Sequence, residues 1–275
     1  MKKLLIAAVL FTLLAALFAC GDSKEELILA TTTSTQDSGL LDVLVPAFEK
    51  HNDYKVKVIA VGSGQAIRMG QEGEADVILA HSPKAEEEMV AAGDGIERAA
   101  VMHNDFVIVG PASDPAGIAR LATAKDAFAD LAAASATFIS RGDDSGTHTK
   151  ELSLWESAGV DLAGQSWYQE TGQGMGATLT VADEKGGYTF SDRGTYLSQK
   201  ESIGLQILFE GDPALYNNYH VIVVNPDKHS KVNAEGARAF AQFITSSDTQ
   251  EIIRSFGVAE FNEPLFIPDA AVKTE

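Results

Sequence analysis

Only one cysteine, Cys20, occurs in the 275 residues, so no internal disulfide can form. Basic residues are scarce: 21 stand against 39 acidic ones, a net charge of −18, or −20 once Lys2 and Lys3 of the N-terminal segment are set aside. A surface of that sign repels a phosphate backbone and anionic lipid, which excludes a sequence-independent nucleic-acid binder. It does not decide what happens inside a cleft that carries its own donors. There is no internal repeat, no low-complexity tract and, after residue 19, no apolar run that approaches a membrane span. What is present, 45% hydrophobic and 22% charged residues, suffices for a substantial core or for two lobes of roughly 100 to 150 residues each.

The chain opens with Lys2-Lys3 and an apolar stretch over 4–19 that closes on Leu17-Phe18-Ala19-Cys20. A stable span takes about 20 residues, so the shorter stretch reads as an export signal over 1–19. Cleavage before Cys20 resembles lipoprotein processing, in which the thiol is acylated and anchors the new N-terminus at a membrane. Phe18 is bulkier than the residue usual at its position, and an ordinary secretory signal with an incidental Cys20 is the alternative. Either way the mature chain is expected to work outside the cytoplasm, periplasmic or at the cell surface. ATP and reduced nicotinamides are scarce there, which weakens kinase and dehydrogenase readings.

After a polar tether over 20–26, short apolar runs alternate with amphipathic stretches, the pattern of α/β layers. Strands are predicted at 27–30, 56–61, 75–80 and 105–110, with helices over 40–48, 65–71 and 83–92. The Pro111, Asp114-Pro115 and Gly117 cluster marks a boundary, and a second α/β run follows: a helix over 121–134, a strand at 137–140, a helix over 145–157 and shorter elements to 209. A strand at 219–225 and a broken pair of helices over 234–256 resume the style of the first segment. The expected organisation is therefore lobe one over 27–110, lobe two over 111–214 and a return to lobe one over 215–275, with two crossings between lobes.

Open α/β sheets place ligands at the loops after strand C-termini, and three such loops are polar here. Thr31-Thr32-Thr33-Ser34-Thr35 carries five consecutive hydroxyls where helix capping needs one. Gly62-Ser63-Gly64-Gln65 leaves N–H groups free at a helix start, although a tight turn without ligand reads almost as well, and the nucleotide P-loop pattern is absent. Arg141-Gly142-Asp143-Asp144-Ser145-Gly146-Thr147 presents hydroxyls and amides at the positive end of a helix, beside a guanidinium suited to tetrahedral oxygens. Its alternative is structural: Asp143 or Asp144 caps the helix and neutralises Arg141. Further on, Gly172-Gln173-Gly174-Met175-Gly176 opens a helix through Thr178, and Arg193 beside Asp192 is either a ligand contact or a structural ion pair.

No catalytic constellation emerges. The six histidines lack zinc-site spacing, Ser145 does not sit in a Gly-x-Ser-x-Gly elbow, and no nucleophile has an evident partner.

Taken in order, Thr31-Thr32-Thr33-Ser34 with Asp37-Ser38-Gly39-Leu40-Leu41, the 58–66 and 75–79 segments, 104–111, 141–148, 172–176 and Asp192-Arg193-Gly194-Thr195-Tyr196 resemble the tungstate-binding proteins of bacterial tungstate ABC transporters. The resemblance runs from about residue 27 to 266. It implies a two-lobed, type II periplasmic-binding-protein fold whose cleft takes tungstate, and molybdate less tightly, for delivery to an ABC permease. By the same resemblance Thr33, Ser34, Ser63, Arg141, Ser145, Gly146, Thr147, Arg193 and Thr178 are expected to face the oxyanion. His81-Ser82 departs from the pattern and is expected to lie away from the site. The resemblance implies no cofactor, no metal other than tungsten within its oxyanion, no catalysis and a monomer. A phosphate- or sulfate-binding transport protein and an exported serine hydrolase are the rivals; Asp143 or Asp144 turned into the cleft would favour phosphate, which keeps a proton to donate.

Overall fold

The computed structural model describes residues 24–270. The export signal expected over 1–19 and the expected lipidation site Cys20 lie outside them. Among the described residues, ten strands join one mixed sheet whose main path runs β2(Tyr54–Val61), β1(Glu25–Thr32), β3(Val77–Ala80), β9(Tyr216–Val224), β4(Gly95–Gly110), β7(Tyr188–Asp192), β5(Phe138–Ser140), β6(Tyr168–Glu170). Two short strands, β8(Gln206–Phe209) and β10(Ile267–Pro268), flank β4.

Strand β4 explains how one sheet makes two lobes. Its first part, to Asp105, pairs with β9; its last part, from Phe106, pairs with β7 and β8. The pairing partners thus change inside the strand, ahead of the Pro111 cluster where the sequence places the end of lobe one. The stretch before Asp105 is not legible as a strand because Arg98, Glu97 and His103 interrupt its apolar alternation, and register shifts at Ile96/Ala99 and Ala100/Met102 break it again. The chain returns between β8 and β9, and Ile267 pairs with His103, which brings the tail back to lobe one.

Each lobe has its own apolar interior. In lobe one Leu27, Leu29, Leu44, Phe48, Tyr219 and Phe240 pack on one sheet face and Ala30, Ile67, Ile78 and Met89 on the other. In lobe two Phe128, Phe138, Trp155, Tyr188 and Phe190 fill one face and Val107, Ile139, Leu179 and Tyr196 the other. Trp155 sits edge-on to Phe128 and Phe138 at centroid distances of 4.5 and 5.0 Å, which fixes the helix that carries it.

Strand direction then positions the loops. β1, β2 and β3 are mutually parallel, and β9 is antiparallel to both β3 and β4, so β4 runs the same way as the three. β7 opposes β4, and β5 and β6 run with β7. The C-termini of the parallel strands of lobe one therefore point toward lobe two, and those of lobe two point back. A crevice between facing strand C-termini is where an open α/β sheet binds ligand.

Candidate functional site

Lobe one brings three loops to this crevice. Register pairs Thr32 with Val61 and Thr31 with Leu79, so the chain after β1, β2 and β3 emerges side by side. The hydroxyl run divides its work. Thr31 donates to the Leu79 carbonyl at 2.9 Å; Thr32 accepts from the Thr35 amide at 3.2 Å and shares a hydrogen with the Thr35 hydroxyl at 2.6 Å. Those three are buried, and Thr32 with Thr35 builds the first turn of α1(Thr33–Asp37); Thr33 and Ser34 are exposed, and the Ser34 hydroxyl lies 3.1 Å from that of Thr32. Next to them α3(Ser63–Glu72) starts at Gly62 without a side-chain cap, which leaves the Ser63 and Gly64 amides free of intrahelical partners. Arg68 folds back toward that start, its guanidinium 3.6 Å from where a Cβ on Gly64 would sit, and it forms no ion pair with another described residue.

Lobe two answers with the segment after β5. Ser145 caps α6(Gly146–Ser157) by accepting from the His148 amide at 3.2 Å, and the Gly146 and Thr147 amides stay unclaimed. α7(Met175–Lys185) starts at Gly174 with no side-chain cap. The two lobes meet at His81. Its Nε2 lies 3.3 Å from the Ser34 hydroxyl, and its Cε1 lies 3.7 Å from the position of a Cβ on Gly146. Ser34 and the Gly146 start of α6 are thereby brought together, with Ser63 and Thr147 on the adjoining helix starts, and His81, expected to lie away from the site, stands between the two lobes. The strand-end rule that selected the other loops selects this one too, because His81 directly follows β3.

The charged residues behave differently. Arg141 donates from Nε and one terminal nitrogen to Asp143 Oδ2, at 3.1 and 2.5 Å, and Asp143 Oδ1 accepts from the Ser145 amide at 3.3 Å. Burial pushes the Asp143 carboxyl up, but the Ser145 and Arg141 donors outweigh it and hold the group below the usual carboxylate range. The ion-pair alternative read for Arg141 is thus present in the structure, with Nη1 left over. Asp144 is fully exposed, and its amide donates to His148 Nδ1 at 3.1 Å.

Arg193 is not brought to the crevice as a free donor. It bonds Asp105 through Nε and Nη2 at 2.7 and 2.6 Å, Glu210 at 2.5 Å and Glu263 at 3.3 Å. Asp105 lies where β4 passes between lobes and Glu210 on the returning segment, so the guanidinium ties the two crossings together. A pocket of about 320 Å³ opens beside it, lined by His103, Asp105, Tyr216 and Glu263 among others. Three carboxylates around one cation leave net negative charge, which disfavours a dianion there. Thr178 is likewise not a free donor: just inside the helix start at Gly174, it is fully buried and donates to the Gly174 carbonyl at 3.1 Å, with Thr171 at 2.9 Å. An i to i−4 back-bond is the ordinary fate of a threonine inside a helix, and sequence spacing does not distinguish it from a ligand contact. Among the described residues no group of three or more histidines, cysteines, aspartates or glutamates is arranged to hold a metal ion.

Comparison with known proteins follows the same lines. A family model described as a PBP superfamily domain matches residues 21–248. The tungstate-binding protein TupA of Peptoclostridium acidaminophilum is 52% identical over 252 residues, covering 90% of this chain and 87% of that protein. The chain belongs to the TupA family of periplasmic binding proteins. The solved TupA of Desulfovibrio alaskensis G20 is 44% identical and superposes with a TM-score of 0.84 over 90% of this chain and all of the other. A structure described as the tungstate ABC transporter from Geobacter sulfurreducens is 52% identical with a TM-score of 0.71, over 85% of this chain. The two-lobed α/β architecture of this TupA-family chain is therefore that of its solved relatives, and the substrate-binding component of an ABC transporter is the role its family fills.

Proposed function

We propose that the protein captures tungstate, and molybdate less tightly, in the crevice between its lobes and delivers it to the permease of an ABC importer. The observation that carries this reading is the set of uncommitted donors that both lobes bring to the crevice: Thr33, Ser63 with its amide and that of Gly64, and the Gly146 and Thr147 amides with the Thr147 hydroxyl, joined by Ser34, whose exposed hydroxyl is shared with Thr32 and His81. Tungstate at neutral pH is a tetrahedral dianion with no proton to give, so it needs donors on several sides and no carboxylate facing it. Asp143 spends its oxygens on Arg141 and Ser145, which keeps an acceptor from being presented. Arg141 Nη1 and Arg68 supply positive charge near opposite helix starts, where the helix dipole adds to it. Ser145 serves as the cap that holds the Gly146 amide in place.

The surface charge of −18 opposes approach of an anion, but at about 0.1 M salt it is screened beyond about 10 Å, and short charge-assisted bonds dominate inside the crevice. A hydrolase reading would need a histidine base on Ser145 or Ser34. Ser145 accepts from the His148 amide, and the His148 ring accepts from the Asp144 amide, so those two side chains are not paired as nucleophile and base; Ser34 lies 3.3 Å from His81 Nε2, but among the described residues no carboxylate hydrogen-bonds that ring to complete a triad. We further infer that Cys20 carries a lipid anchor, which would hold a monomeric receptor beside its permease outside the cytoplasm. Among the described residues no helix is long and apolar enough to cross a membrane. Calorimetric titration of the mature protein with tungstate, molybdate, sulfate and phosphate tests the proposal: tungstate should bind most tightly, and phosphate binding with tungstate inert would discard it.

A further inference from the structure

Five features of His81 bear on one role. It directly follows β3, at the strand end that faces lobe two. Its Nε2 is 3.3 Å from the Ser34 hydroxyl, and Ser34 is one of the exposed hydroxyls of lobe one. Its Cε1 approaches the bare start of α6 in lobe two, 3.7 Å from where a Cβ on Gly146 would lie. The ring is braced rather than free, tilted against buried Tyr219 at a centroid distance of 4.7 Å. The turn that carries it is fixed from below: the Ser82 amide donates to Glu86 Oε1 at 2.7 Å, and the fully buried Glu86 is held by Arg98 at 2.9 Å and by His220 at 2.9 Å.

A side chain anchored in this way on lobe one, with its ring directed at the start of α6 in lobe two, is placed to touch whatever fills the crevice. We propose that His81 is a contact and specificity residue for the bound oxyanion, closing the site from lobe one opposite the Gly146 and Thr147 amides. The inference rests on the oxyanion reading of the crevice. The imidazole can turn an Nε2–H toward the ligand while the Ser34 hydroxyl reorients to give its hydrogen to the anion as well. Burial lowers the ring's pKa, against the pull of Glu86 and a hydrogen bond with Asn217, which favours a neutral donor over a fixed charge. A neutral ring reads hydrogen-bond geometry more than net charge, and its fixed plane limits how deeply a tetrahedral anion can sit against Ser34.

The test is calorimetric titration of tungstate into the mature wild-type chain, His81→Phe and His81→Gln, with the melting temperature of each ligand-free protein. Phenylalanine keeps a ring against Tyr219 and removes the nitrogen; glutamine restores a donor. The expected result is weakening of about ten- to a hundredfold in His81→Phe, partial recovery in His81→Gln, and little change in the ligand-free melting temperatures. Wild-type affinity in His81→Phe overturns the proposal; should that variant not fold, wild-type affinity in a folded His81→Ala does so. Failure of the wild type itself to bind tungstate is a separate result, which removes the oxyanion reading before any variant is compared.

Discussion

Glu151 lies on the inner face of α6, one layer beneath the loop that carries Arg141 and Ser145, and is 1% exposed. Its carboxylate accepts from the Ser140 hydroxyl at 2.8 Å, from Trp155 Nε1 at 3.1 Å and from the Tyr168 hydroxyl at 3.0 Å. Burial nevertheless outweighs these three donors, Glu170 adds repulsion, and the carboxyl is pushed from 4.5 up to about 7. A folded-state value above the unfolded one means that the folded protein binds this proton more tightly. The stabilisation is complete below about pH 4.5, declines as pH rises and is gone above about 7. At 1.36 kcal/mol per unit the swing is on the order of 3 kcal/mol, of which about 2 to 3 falls between pH 5 and pH 8. Glu151→Gln keeps the volume and one carbonyl acceptor and abolishes the titration. Urea unfolding followed by tryptophan fluorescence suits the measurement, because Trp155 and Trp167 both lie in the apolar cluster beside Glu151. From pH 5 to pH 8 the variant should gain about 2 kcal/mol on the wild type, whatever its offset at pH 5. Parallel pH profiles for the two proteins would refute the reasoning, since Glu151 would then ionise at its ordinary value in the folded state.

Arg193→Ala should lower ligand-free stability by about 2 kcal/mol, because it strands Asp105, which is only 17% exposed, beside two further carboxylates. A tungstate-induced rise in melting temperature should survive in that variant; an unchanged ligand-free melt with the rise abolished would return Arg193 to the oxyanion. Gly142→Ala should cost about 1 to 3 kcal/mol and disturb the loop that follows, since Gly142 has φ +59 and an added Cβ would lie 2.5 Å from Glu170 Cβ. Chemical denaturation measures it, and a cost under about 0.5 kcal/mol would show that the loop yields freely.

Much of the architecture is legible in the sequence because apolar period and strand-end punctuation coincide. The hydroxyl run at 31–35, the glycines at 62 and 64 and the Ser-Gly-Thr start at 145–147 all fall at helix N-termini that face the crevice. Residue type alone does not say how a polar group is spent. Thr31, Thr32 and Thr35 look like Thr33 and Ser34 in sequence, yet they bond inside lobe one. Arg193 satisfies the same composition rule as the other candidates, but its partners Asp105, Glu210 and Glu263 come from positions that only the fold brings near, while Thr178 bonds the Gly174 carbonyl four residues back in its own helix. His81 is hidden for the opposite reason: with only Ser82 beside it, it lacks the run of glycines and hydroxyls that flags a ligand loop. The two-lobe division was blurred by β4, a strand shared between lobes whose polar first half carries no clean period.

The central claim is that donors from the two facing sets of strand ends surround one deprotonated metal oxyanion. Anomalous diffraction at the tungsten edge from crystals grown with tungstate measures this directly. A single tungsten peak should lie between Ser34, Ser63 and His81 on one side and the Gly146 and Thr147 amides on the other. A peak in the pocket beside Arg193, or none in the crevice at saturating tungstate, would contradict it.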